Sequence, residues 1–263
     1  MSLVTCPGLL LRSHDYSESS RIMRFLTPDL GVVAIIAKGV RRRSSRGREP
    51  IQSFAEGTLT FAHRDDRDLH TLRDFEAGQL PPLRGYRRLA AASLLAELIL
   101  VHSLEEGDPL LYDWIRATFQ SLALADEPDL PGRLLAGAWR TLALLGFPPE
   151  LNRCVRCGRP LAQGESGESG SGEFCRLDIA AGGLRCPACA GDAAMARVGP
   201  TARRDLQNLV AGSPPFSVHG ERAHFTVLEG FASYHLAPSR GFLTFGPVRA
   251  LMGEREQDTG VDR

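Results

Sequence analysis

Two short cysteine pairs constrain this chain more than any other feature. Cys154-Val-Arg-Cys157 and Cys186-Pro-Ala-Cys189 hold four of its six cysteines. A CxxC turn brings two thiolates within reach of one ion, and two such turns close a tetrahedral site. The pairs lie 28 residues apart, against about 15–20 in familiar zinc spacings. The excess is the segment Gln163 to Glu173, QGESGESGSGE, which has no hydrophobic residue. Such a segment reads as a flexible insertion, and without it 17 residues separate the pairs. The competing reading is redox or free thiols, but no thioredoxin-like βαβ pattern surrounds either pair. Cys175 has no CxxC partner and reads as a small strand residue or a free thiol. Four sulfur ligands leave no open coordination position, so the expectation is one structural Zn2+ held by Cys154, Cys157, Cys186 and Cys189.

Compartment supports metal over disulfides. No early segment joins a basic start to an apolar stretch and a small-residue cleavage site, so no secretory signal is read. The most apolar run, Leu89 to Val101, is too short to span a bilayer and contains Glu97. Clustered cysteines in such a chain favour metal. At 263 residues, 43% of them hydrophobic, the chain has room for one large domain or two to three small ones.

Residues 1–80 read as a small β-domain. Val4 to Arg12 is an apolar run broken by Cys6-Pro7-Gly8, and Arg21 to Thr27 alternates loosely. Pro28-Asp29-Leu30-Gly31 is a turn signal. Val32 to Ala37 is β-branched and reads as a buried strand. Phe54 to Ala62 and Leu69 to Phe75 alternate across the polar connection His63 to Asp68. Five short strands suit a five-stranded OB-fold β-barrel. Behind the third strand comes a run of six cations without an acid: Lys38, Arg41, Arg42, Arg43, Arg46 and Arg48. The whole chain is formally neutral. A local positive segment on a neutral protein attracts polyanions, nucleic-acid backbone above all. The alternative is a merely solvated loop. Phe25, Phe54, Phe61 and Phe75 sit at strand positions and read as core, so DNA binding would be mainly electrostatic and without sequence preference.

The remainder reads as helical. Tyr86 to Leu104 is apolar nearly all round and should lie centrally. Asp108-Pro109 looks like an N-cap with Pro at N1, opening a helix to about Leu124. Pro131 to Leu145 is a third helix, ended by Gly146. Gly199-Pro200 starts another, to about Val210, and Glu221 to Leu236 follows. Ser239 to Met252 carries Phe242, Leu243 and Phe245. The expected fold class is α+β and multidomain. Its parts are a barrel (1–80), a helical domain in two parts (81–150 and 196–253), an embedded four-cysteine zinc-finger module (151–195) and a flexible tail (254–263).

Taken together, these features resemble the RecO family of bacterial recombination-repair proteins, nearly end to end. The matching residues are LLLRSHDYSESSRIMRFLTPDLGVVAIIAKGVRRRSS, LALLGFPPELNRCVRCG, GGLRCPAC and YHLAPSRGFL. The block Asp15 to Arg21, followed by Gly31 and Ala37-Lys38-Gly39, is the most specific of them. The resemblance implies that the four paired cysteines are the zinc ligands and that Lys38 and the arginines after it form the cationic barrel surface. It implies a mediator in bacterial cytoplasm, at the nucleoid, that binds single- and double-stranded DNA and anneals complementary strands. It also implies action with RecR, contact with the tail of single-strand-binding protein (SSB), and RecF and RecA as further partners. The acidic-glycine insertion departs from the family pattern.

Three function classes compete. The first is a DNA-binding mediator without covalent chemistry, hence not an enzyme. The second is a metal-dependent DNA enzyme, against which there is no Walker loop, no HExxH and no nucleophile–base motif. Asp65, Asp66 and Asp68 are interspersed with Arg64 and Arg67, which reads as a solvated hairpin. The third is a zinc-containing adaptor for nucleic acid or protein, without mediator activity.

Overall fold

The computed structural model describes residues 2–38, 51–64, 67–102, 106–162, 172–191, 195–213, 218–250 and 252. The chain divides into two compact units, Met1–Glu127 and Pro128–Arg263.

The first unit is built on five strands: β1 (Ser2–Asp15), β2 (Arg21–Thr27), β3 (Gly31–Ala37), β4 (Glu56–His63) and β5 (Leu69–Ala77). They pair in the order β1-β2-β3-β5-β4, and β4 pairs back onto β1, so the ring closes. All neighbours are antiparallel except β3 and β5, which run parallel. This is the five-stranded Greek-key barrel expected of an OB fold. Leu10, Met23, Phe25, Val33, Ile35, Leu59 and Phe61 fill the barrel.

Three local readings change. β1 does not break at Cys6-Pro7-Gly8. It runs on for 14 residues, pairing with β4 in its first part and β2 in its second, across a bulge between Leu10 and Arg12. Glycine permits the close packing there: a Cβ on Gly57, which faces Gly8, would lie 2.1 Å from the Glu76 carbonyl oxygen. β3 is not buried on both sides. Gly31, Val33, Ile35 and Ala37 are buried, whereas Val32, Ala34 and Ile36 are half-buried, because a barrel covers one face of each strand. Phe54 precedes β4, with φ +62°, and packs edge-on against Phe119 at 5.4 Å. The expected turn between β2 and β3 forms: Thr27 Oγ1 donates to the Gly31 carbonyl and accepts from Leu30 N–H.

Two helices complete this unit. α1 (Tyr86–His102) buries Ala90, Ala91, Ala92, Leu94, Leu95, Ala96, Leu98 and Ile99. α2 (Pro109–Leu124) starts where Asp108 predicts, with Asp108 Oδ1 accepting from Leu110 and Leu111 N–H at 2.9 and 3.1 Å. Arg88 of α1 donates to the Leu122 and Ala125 carbonyls and pairs with Glu127, closing the far end of α2. The sequence groups α1 and α2 with the later helices by type. In the structure they contact β1 and β2 and belong to the first unit.

In the second unit α3 (Leu130–Leu144) packs against α5 (Pro200–Ala211) and α6 (Glu221–Leu236). Trp139 is fully buried and meets Phe231 at 5.2 Å. Between α3 and α5 lie β6 (Cys175–Asp178), β7 (Gly183–Arg185), α4 (Pro187–Ala190) and β8 (Arg197–Val198). β6 is the middle strand of a small antiparallel sheet. In Ser239–Met252 the helix is the short α7 (Phe245–Arg249). The tail 254–263 lies outside the described residues.

Candidate functional site

The first cysteine pair sits in a tight knuckle. Cys154 N–H donates to the Arg159 carbonyl, and Gly158, at φ +74°, returns its N–H to the Cys154 carbonyl. The second pair brackets α4, whose first turn is closed by Cys189 and Ala190 N–H on the Cys186 carbonyl. Val155 N–H donates to the Leu184 carbonyl at 2.9 Å, holding the knuckle against β7. The result brings together all four predicted ligands: the sulfurs of Cys154, Cys157, Cys186 and Cys189 lie within 4.8 Å of one another.

The geometry fits a tetrahedral metal. Zinc–sulfur bonds of about 2.3 Å set the tetrahedron's sulfur–sulfur edge at about 3.8 Å, and Cys157 Sγ lies 3.9 Å from Cys186 Sγ. Electrostatics fit as well. Burial pushes the Cys154 thiol up, but backbone N–H groups of Cys186, Cys157 and Arg156 outweigh it and bring the pKa to about 6. Burial also pushes Cys186 up, and the Arg159 guanidinium, with Cys189, brings it below its ordinary value. Cys189 is pushed up to about 12 by the sulfurs of Cys157 and Cys186 beside it. Sulfurs this close cannot all ionise unless a cation sits among them, and a soft four-thiolate set suits a tetrahedral ion such as zinc.

Cys175 is apart from this set. It is buried in β6, where burial raises its thiol pKa. One residue of the predicted insertion is well placed: Glu173 pairs with Arg159 and accepts from Ala162 N–H at 2.8 Å. Burial pushes the Glu173 carboxyl up, but Arg159, the Ala162 N–H and the charge of Arg203 hold it below its ordinary value. Residues 163–171 lie outside the described residues. The sequence does not reveal Arg203, which is 3% exposed on α5. Its guanidinium donates to the carbonyls of Leu151, Ala162 and Leu161 at 2.7, 3.0 and 3.2 Å, tying both ends of the first knuckle to the helix.

On the barrel, Lys38 is exposed directly after β3, while Arg41, Arg42, Arg43, Arg46 and Arg48 lie outside the described residues. The β1–β2 pair adds cations unnoticed in the sequence. Arg12 stands opposite Arg24, and both are exposed. Their partnership depends on the β1 bulge, which the sequence does not announce. Tyr16, 63% exposed, occupies the β1–β2 turn, where its N–H donates to the Ser20 carbonyl. In an OB barrel this turn borders the ligand face. Phe25 and Phe61 are core, as expected.

Fold and site together define a class: an OB-type barrel protein with helices and a module whose four clustered cysteines could hold a metal ion. Comparison with known proteins narrows this. The family model described as Recombination protein O N terminal matches residues 1–80, and Recombination protein O C terminal matches 83–240. A DNA repair protein RecO of Rubrobacter xylanophilus is 34% identical over 203 residues, covering 73% of this chain and 74% of its own. A DNA repair protein RecO of Anaeromyxobacter dehalogenans is 30% identical, covering 94% of this chain and 99% of its own. The chain belongs to the RecO family. Among the described residues no helix is long and apolar enough to cross a membrane.

Proposed function

We propose that this chain is a DNA-binding recombination mediator that performs no covalent chemistry. It binds single- and double-stranded DNA through the barrel, anneals complementary strands, and acts with RecR to place RecA on DNA coated by single-strand-binding protein. Family membership supports a role in DNA repair and recombination. The observation that carries the binding mode is the cationic barrel face, where Arg12 and Arg24 stand side by side and Lys38 opens the basic run. Phosphate contacts of this kind position a strand without reading its sequence. Tyr16 adds an exposed ring on which a base can stack. The cysteine centre holds one structural zinc that keeps the second unit folded. When bound, zinc supplies the positive charge that lets four thiolates coexist.

Labelled single-stranded DNA incubated with the full chain, with and without magnesium, separates mediator from enzyme. Retention and annealing of a complementary strand are expected in both conditions, with the label intact. Magnesium-dependent cleavage would refute the reading.

A further inference from the structure

The small sheet of the metal module carries a row of arginines. Arg176 in β6 pairs with Arg185 in β7 on one side and with Arg197 in β8 on the other. Directly opposed residues point to the same face, so three guanidinium side chains issue from one side of three adjacent strands. The other side is apolar: Cys175, Leu177, Leu184 and Val198 are buried. Like charges directly opposite destabilise a strand pair, yet this sheet holds two such pairs. Each arginine is also held in place. Arg185 is paired with Asp178, Arg176 donates to the Met195 carbonyl at 2.9 Å, and Arg197 lies 3.9 Å over the ring of Phe174.

We propose that this face is a second nucleic-acid surface, which holds the phosphate backbone of a single DNA strand. The inference rests on the DNA-binding reading above but not on the barrel's basic run. Strands about 4.8 Å apart make the row about 10 Å wide. Asp178 already compensates Arg185, so Arg176 and Arg197 are the cations of the row that meet phosphate oxygens, and holding both side chains beforehand lowers the entropy lost on binding. An acidic peptide is the rival occupant. Extended peptides need side-chain pockets between the points of charge. Both strands flanking Arg176 offer another arginine, and Arg197 covers the exposed ring of Phe174. Phe174 stays 48% exposed beside Arg197, a single ring on which a base can stack next to the charged row, and that pairing favours a nucleic-acid strand.

The test uses the full chain carrying Arg176→Gln and Arg197→Gln, with metal content and melting temperature read first. Binding of labelled oligo(dT) is then followed against salt. The log–log slope is expected to fall by about 1.4, at about 0.7 for each lost contact. Lysines at both positions should restore most of it. The same fall is expected in protein already carrying Arg41→Ala, Arg42→Ala and Arg43→Ala, so failure of the barrel site and failure of this one are distinguishable. An unchanged slope in a metal-replete, normally melting double variant would overturn the proposal. So would unchanged DNA binding coupled with lost binding of a polyglutamate peptide, which would make the face a peptide surface. If the double variant sheds metal, Arg197→Gln alone decides, because Arg197 is exposed: a drop of about 0.7 supports the surface and no drop overturns it.

Discussion

Arg203 is the side chain that ties the four-cysteine module together most closely. Its charge is buried, and its donors satisfy three carbonyls on either side of the Cys154 knuckle. Each buried carbonyl left without a partner costs about 1–3 kcal/mol. Arg203→Met should therefore lower the melting temperature and speed metal loss to a chelator, while leaving the four sulfurs in place. Lysine lacks the fork that reaches three acceptors at once and should rescue only part of the loss. A variant that melts and keeps metal like the parent would make the contacts incidental. The cysteines themselves give a sharper contrast. Cys154→Ser should lose about one zinc per chain by elemental analysis and lower the stability of the second unit, since a half-liganded site cannot hold both turns. Cys175→Ser should leave metal content unchanged, because that sulfur lies outside the cluster. Full zinc in the Cys154 variant would contradict the site.

Elements show where sequence patterns carry and where they stop. α1 reads as a central helix because its apolar residues wrap nearly the whole circumference, and Leu95 is indeed fully buried. Leu95→Asp buries a carboxylate without a partner, at a cost of several kcal/mol. Loss of soluble expression is expected, and a well-folded variant would show the helix to be peripheral. The barrel strands are legible as apolar, β-branched or loosely alternating runs between turn signals, and β2 and α6 fall at the bounds read from the sequence. The sheet β6–β8 is not, because strands of two to four residues are too short to show any period. Its existence follows from pairing: Arg176 of β6 meets partners 9 and 21 residues further on, Arg185 and Arg197. The same limit hides the Arg12–Arg24 and Arg176–Arg185–Arg197 pairings, since register is a property of two strands and not of one. The four-cysteine cluster is legible for the opposite reason. CxxC is a local geometry, and two copies suffice to predict where they meet.

For the whole molecule, charge is the decisive quantity. Cations and acids number 31 each, so no overall field draws the protein to DNA. In the mediator reading, attraction to DNA comes from segregated charge, and its salt dependence then counts local contacts. Replacing Lys38's neighbours Arg41, Arg42 and Arg43 removes three cations from a run that contains no acid. The measurement that bears most directly on the mediator reading is single-stranded DNA affinity against salt, for the parent and for Arg41→Ala/Arg42→Ala/Arg43→Ala. Three lost phosphate contacts should lower the log–log slope by up to about 2, equally on unrelated sequences, with annealing falling in step and folding unchanged. A folded triple variant with the parent's affinity and slope would contradict the assignment of DNA binding to the basic run after β3.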